Sequence, residues 1–184
     1  MGGISYEEFG VNFVTKVVTP ERVAETIARV SGAEVKAGPM SAGPGGAASV
    51  LAVGRVGAIA ARPTFNKQGL AFEALIPIDL KLEVKVAGVT HRYNGVVRVR
   101  LRLGIRAEPP VKIMIDVDPV AISDVDVELA ADGLRARVLQ RLGNVDDEVR
   151  RAVASVVSER LDSDAARAVR ELDILGYVDQ AWNQ

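Results

Sequence analysis

The sequence contains no cysteine and a single histidine, His91. Disulfides and thiolate metal sites are thereby excluded, and any histidine-based metal centre or triad would have to be built around one residue. Aromatic residues make up only 4% of the 184 positions, so few platforms exist for stacking bases or sugars. Neither sign of charge dominates: 23 Lys and Arg stand against 24 Asp and Glu, a formal charge of −1. That balance gives no global attraction to nucleic acid or to anionic membranes. No run of about 18 apolar residues is present to span a bilayer. The start, Met1 to Glu8, lacks the basic region and apolar stretch of a secretory signal. These absences lead us to expect a soluble, cytoplasmic protein that does not bind nucleic acid.

What the sequence does have is aliphatic content, within a hydrophobic fraction of 48%, arranged in one long alternation that folds back on itself. Phe72, Ala74, Ile76, Ile78, Leu80, Leu82, Val84 and Val86 take every second position going in. After Ala87-Gly88, Val89, Tyr93, Val97, Val99, Leu101, Leu103 and Ile105 do the same coming back. Side chains on a strand alternate faces, so each arm reads as one strand with one apolar face. At about 3.3 Å per residue each arm would span on the order of 50 Å, far beyond an ordinary strand. Strands so long must twist and coil, and their apolar face needs a long cover.

The hairpin register can be read from the same pattern. An even-numbered turn at Ala87-Gly88 sets Val84 opposite His91, Ile78 opposite Val97 and Ile76 opposite Val99. It also sets Glu83 opposite Arg92 and Glu73 opposite Arg102 on the outer face, where opposite charges attract. Pro77 lacks an N–H, which predicts that the first arm is an edge strand or carries a bulge.

Thr19-Pro20 supplies an N-cap and a first-turn proline, and Gly32 a C-cap, for a helix over Pro20–Ser31 with Val23, Ile27 and Val30 on one side. Ser5 and Glu8 fit a capping box, and Phe9, Phe13, Val14 and Val17 lean helical up to Val18, with a strand as the alternative. Gly38 to Gly46 reads as a loop; it lacks the Lys-Ser/Thr ending of a phosphate cradle and precedes a strand. Val50 to Ala61 reads as a strand covered on both faces. Val111 to Val117 and Val125 to Leu129 read as shorter strands. Leu134, Val138 and Leu142 mark a helix ending at Gly143. Asn144 caps the next, whose stripe is Val145, Val149, Ala152, Val153, Val156, Val157 and Leu161. From Ser163 onward Val169, Leu172 and Leu175 fit a short helical tail. The whole of 1–184 reads as a single domain.

No catalytic motif stands out, and neither a cofactor nor a metal is expected. The Gly-x-Ser-x-Gly elbow of a serine nucleophile is absent. Asp116, Asp118, Asp124 and Asp126 could hold a hard cation, but without the spaced loop of a calcium hand an exposed strand face explains them better. His91 falls near the hairpin tip, solvated or in touch with a ligand headgroup. Arg98, Arg100 and Arg102 share an outer face that could greet an acidic partner, but the acids of adjacent strands are expected to answer them.

An amphipathic N-terminal helix over Pro20–Ser31, very long antiparallel strands over Phe72–Ile105, and a valine-rich helix over Asn144–Leu161 together resemble the tubular lipid-binding superfamily. That group includes the bactericidal/permeability-increasing-like and synaptotagmin-like mitochondrial lipid-binding domains. The resemblance implies an α+β fold in which a long, highly twisted antiparallel sheet wraps a long C-terminal helix and leaves an aliphatic groove for acyl chains. It implies non-enzymatic binding of a lipid or other elongated hydrophobic molecule, with Ile78, Leu80, Leu82, Val84, Val97, Val99, Leu101, Val153 and Val157 lining the groove. Peripheral membrane contact is compatible with it; the oligomeric state is left open. Members of the family often act outside the cytoplasm or are membrane-tethered, and this sequence shows neither a signal nor an anchor. Two other readings fit the same aliphatic composition: a START-like helix-grip protein that binds or modifies a polyketide-type ligand, and a packed scaffold without a cavity.

Overall fold

The computed structural model describes residues 3–66, 69–130 and 145–182. In chain order the elements are α1 (Tyr6–Val17), α2 (Pro20–Ser31), β1 (Glu34–Ala42), β2 (Ala48–Val56), β3 (Ala60–Asn66), β4 (Gly69–Val86) and β5 (Val89–Glu108). They continue with β6 (Lys112–Val117), β7 (Val125–Ala130), α3 (Val145–Leu161), α4 (Asp164–Ala168), β8 (Glu171–Asp173) and α5 (Ile174–Trp182). The helix expected at Leu134–Leu142, with its Gly143 and Asn144 boundary, lies outside the described residues.

The alternating arms form β4 and β5, of 18 and 20 residues. They pair antiparallel in the expected register, with Val84 opposite His91, Ile78 opposite Val97 and Ile76 opposite Val99. This pair is the spine of an eight-stranded sheet, and each side of it is shared by two shorter strands. Beside β4, β2 takes the half toward the Ala87-Gly88 turn and β3 the other half. Beside β5, β7 and β6 divide the length in the same way.

Pro77 explains that division. β4 is not an edge strand: it has neighbours on both sides. However, β2 pairing ends at Ile78 and β3 pairing begins at Leu75, so no strand residue pairs with Pro77 on that side. The Pro77 carbonyl accepts there from the Gly57 N–H at 2.8 Å. The missing proline N–H therefore costs no ladder bond. The same break divides Val50–Ala61 into two strands, and β2 buries one face only, with Ser49 and Leu51 turned outward. Likewise much of Gly38–Gly46 is strand. β1 continues through it past an irregularity between Ala37 and Met40, where Gly38 adopts φ +102° and a side chain would meet the Val50 carbonyl.

The sheet curls strongly around two helices. In the turn-side half, α3 packs against both β1 and β7, the outermost strands there. In the other half, α2 packs against β3 and touches α3. Val145, Val149, Val153 and Val157 of α3 and Val23 and Ile27 of α2 join one aliphatic core with the inner faces of β4 and β5. Burying each such side chain stabilises the fold by about 1.5–3 kcal/mol.

The single long wrapping helix expected at the C-terminal end is not what fills the sheet. α3 has 17 residues, roughly 25 Å at 1.5 Å per residue, against roughly 66 Å for β5 at 3.3 Å per residue. One helix of that length cannot line the sheet, so α2 fills what α3 leaves. The last helix, α5, has nine residues, and the tail is not wholly helical because β8 pairs with β6.

Candidate ligand-binding site

All nine residues expected to line a groove lie in the packed core, between 0% and 8% exposed. Leu80, Leu82, Val84, Val97, Val99 and Leu101 sit on the inner face of β4 and β5, and Val153 on the facing side of α3. Ile78 and Val157 border a small cleft as well, between the ends of α2 and α3 and β4.

Open space is found where α2 faces β6 and the segment after α4. A cavity of about 350 Å³ lies between α2, Ile115 of β6, and Val169, Leu172, Ile174 and Tyr177. It shares Val23, Thr26, Ile115 and Val169 with a deeper, almost wholly apolar space of about 40 Å³, bounded further in by Ile27, Leu103 and Leu161. That space shares Val30 and Leu161 with the cleft at Ile78 and Val157, of about 10 Å³. On the outer side, Ile174 also borders an open cleft of about 660 Å³ between α1, the Pro109-Pro110 turn and α5. The three spaces along α2 share lining residues one to the next and shrink from the surface toward the sheet core, and together they mark a seam.

The local sequence explains the seam. The capping box of Ser5 and Glu8 starts α1, and Thr19 with Pro20 starts α2 directly after the extended backbone of Val18 breaks the first helix. Val18, Val23 and Ile27 are buried, whereas Val14, Val17 and Val30 are only partly so. On β6, Ile113 is buried, but Ile115 and Val117 are half-buried. Those residues are apolar and imperfectly covered because α2 packs chiefly on β3. The outer end carries exposed Phe9, Tyr177 and Val178, and the same two helices, α1 and α5, expose Tyr6 and Trp182 as well.

The outer sheet face has different chemistry. Arg92 meets Glu83 at 2.8 Å, Arg98 meets Glu128 at 2.8 Å, and Arg102 meets the buried Asp124 at 2.7 Å. Glu73 is opposite Arg102 in the register, yet its carboxylate turns to Arg62 at 3.0 Å and Arg100 at 3.3 Å. Asp116 and Asp126 face Arg106 and Arg98, so with Asp124 three of the four aspartates answer the arginines of β5. The hydrogen bond and charge of Arg98 hold the Glu128 carboxyl below the usual carboxylate range. No three metal-ligating side chains gather among the described residues. His91 is half-buried opposite Val84.

No protein-family model matches the chain, and no curated protein does either. Among solved structures it is similar to a crystal structure of lipopolysaccharide binding protein. The match has 10% identity and a TM-score of 0.41, and covers 88% of this chain and 40% of that one. The chain thus spans well under half the length of that structure. No described helix is long and apolar enough to cross a membrane.

Proposed function

We propose that the protein binds an elongated hydrophobic ligand, a lipid or a molecule like one, without altering it chemically. The observation that supports this is the run of spaces along α2, largely apolar and almost wholly so in its inner part. A cavity of about 350 Å³ falls at the small end of the range of roughly 300–1,000 Å³ typical of ligand sites, a size suited to one chain and not to several. The chain would lie between Val23, Ile115 and Val169 with its end toward Ile78 and Val157. Leu80, Leu82, Val84, Val97, Val99, Leu101 and Val153 would form the packed aliphatic floor behind it. The outer aromatics, Tyr6, Phe9, Tyr177 and Trp182, are residue types suited to a membrane–water boundary, and peripheral membrane contact would be made there.

A packed scaffold is the second reading, favoured by the burial of all nine expected groove residues. Titration with a fluorescent fatty-acid analogue separates the two. Saturable one-to-one binding, displaced by unlabelled fatty acid, is expected; a protein that takes up no probe is the scaffold.

A further inference from the structure

The charges around the seam are not balanced as they are elsewhere. The arginines of β5 have carboxylate partners, and so do Arg150 and Arg151 of α3. Among the described residues five arginines have no carboxylate within ion-pairing distance. Arg55 lies on the outer sheet face, and Arg160 donates to the Glu34 carbonyl beside the innermost cleft. The other three, Arg22, Arg29 and Arg170, line the two joined cavities of the seam. Among the described residues Glu25 is the single acid lining that space, and it ion-pairs with neither arginine of α2.

Arg170 is the informative one. It is partly buried, and among the described residues it is the single charged one around the inner apolar space. Its backbone is fixed to β6, since the Arg170 carbonyl accepts from the Ile115 N–H at 2.8 Å. Its guanidinium donates to the Leu161 carbonyl, which uses one of five donors. Arginine stays protonated at any physiological pH. A cation held against apolar walls is unfavourable until an anion joins it, and the planar fork fits carboxylate or phosphate in two parallel hydrogen bonds.

We propose that the ligand of the seam is a single-chain amphiphile whose anionic headgroup, a carboxylate or a phosphate, is held by Arg170, with Arg22 and Arg29 drawing it in. This rests on the hydrophobic-ligand reading of the same seam. The apolar chain supplies burial, and the headgroup neutralises the charge at the inner apolar space, where Arg170 has no carboxylate partner among the described residues.

The test is calorimetric titration of the full chain with oleate, oleyl alcohol and oleoyl lysophosphatidate, each below its micelle concentration. One of the two anions should bind about tenfold or more tightly than the alcohol, the difference expected for charge-assisted hydrogen bonds. The ratio of the two anions then identifies the headgroup. Arg170→Gln should abolish the preference of the anion over the alcohol, and Arg170→Lys should keep part of it. Should Arg170→Gln fail to fold, the surface double variant Arg22→Gln/Arg29→Gln carries the test and should reduce the preference. Equal binding of anions and alcohol overturns the headgroup inference and leaves the hydrophobic-ligand reading standing. A preference unchanged in Arg170→Gln overturns the role of Arg170. Binding of none of the three overturns both readings.

Discussion

Tryptophan placed at Ile115 and at Val99 distinguishes open space from packed core within the same sheet. Val99 is fully buried, paired with Ile76 on one side and Val125 on the other. Interiors are close-packed, so an indole there must displace neighbours, at about 1–3 kcal/mol or more. For a chain of this size 1 kcal/mol shifts Tm by roughly 2–4 °C, so Val99→Trp should melt about 2–12 °C early. Ile115 is half-buried and borders both the 350 Å³ cavity and the space within it. An indole there enters a void, and the loss should stay below about 1 kcal/mol, within a few degrees of the wild type. The ligand, however, would find its path filled. The assay is a thermal melt of each variant beside displacement of a fluorescent fatty-acid probe. Ile115→Trp should keep its melting temperature and lose the probe. If it melts as early as Val99→Trp, the seam is not open; if it binds the probe at full affinity, the ligand lies elsewhere.

Val153→Asp places an unpaired carboxylate in the core of α3, where the native side chain is 3% exposed, and should abolish the cooperative urea transition. Arg102→Ala leaves the buried Asp124, among the described residues, with the Ala121 N–H at 3.1 Å as its remaining partner and should cost about 1–3 kcal/mol by chemical denaturation. Arg98→Ala, at an exposed pair, should change stability little. Carbon-detected titration should find the Glu128 carboxyl below its ordinary pKa, because Arg98 hydrogen-bonds and attracts the charged form, and Arg98→Ala should raise it. A depressed carboxyl stabilises the fold above its unfolded pKa and loses that contribution as pH falls through the folded value. The Arg98→Ala difference should therefore vanish in acid.

Much of the fold was legible because β4 and β5 repeat one rule for most of their length. A slip of one residue would turn Ile76, Ile78 and Leu80 to water, so the apolar pattern alone sets the register. Pro77 was legible as a disturbance but not as to its kind. A proline marks a missing donor, and only the neighbouring strands show that the donor is not needed. Gly38–Gly46 misled for a related reason: glycine and proline can mark a bulge within an edge strand as readily as a loop. The aliphatic character expected of a groove recurs at the proposed seam, whose place in the fold was not legible. Regular alternation identifies the residues that pack best, so Val97, Val99 and Leu101 lie in the core itself. The seam is built from Val23, Ile115 and Val169, which are far apart in sequence and individually ordinary. A void left where one helix leans on the opposite strand has no local signature. The arginines did offer a signal, since those of β5 have acids within cross-strand reach, whereas Arg170 does not.

The most direct measurement is a methyl NMR titration of isoleucine-labelled protein with a long-chain fatty acid. Ile27, Ile115 and Ile174 border the seam, while the exposed Ile122 lies on the turn before β7. The seam account predicts saturable shifts of the first three, weaker ones at Ile78, and none at Ile122. Spectra that do not change, or shifts confined to isoleucines away from α2, would contradict it.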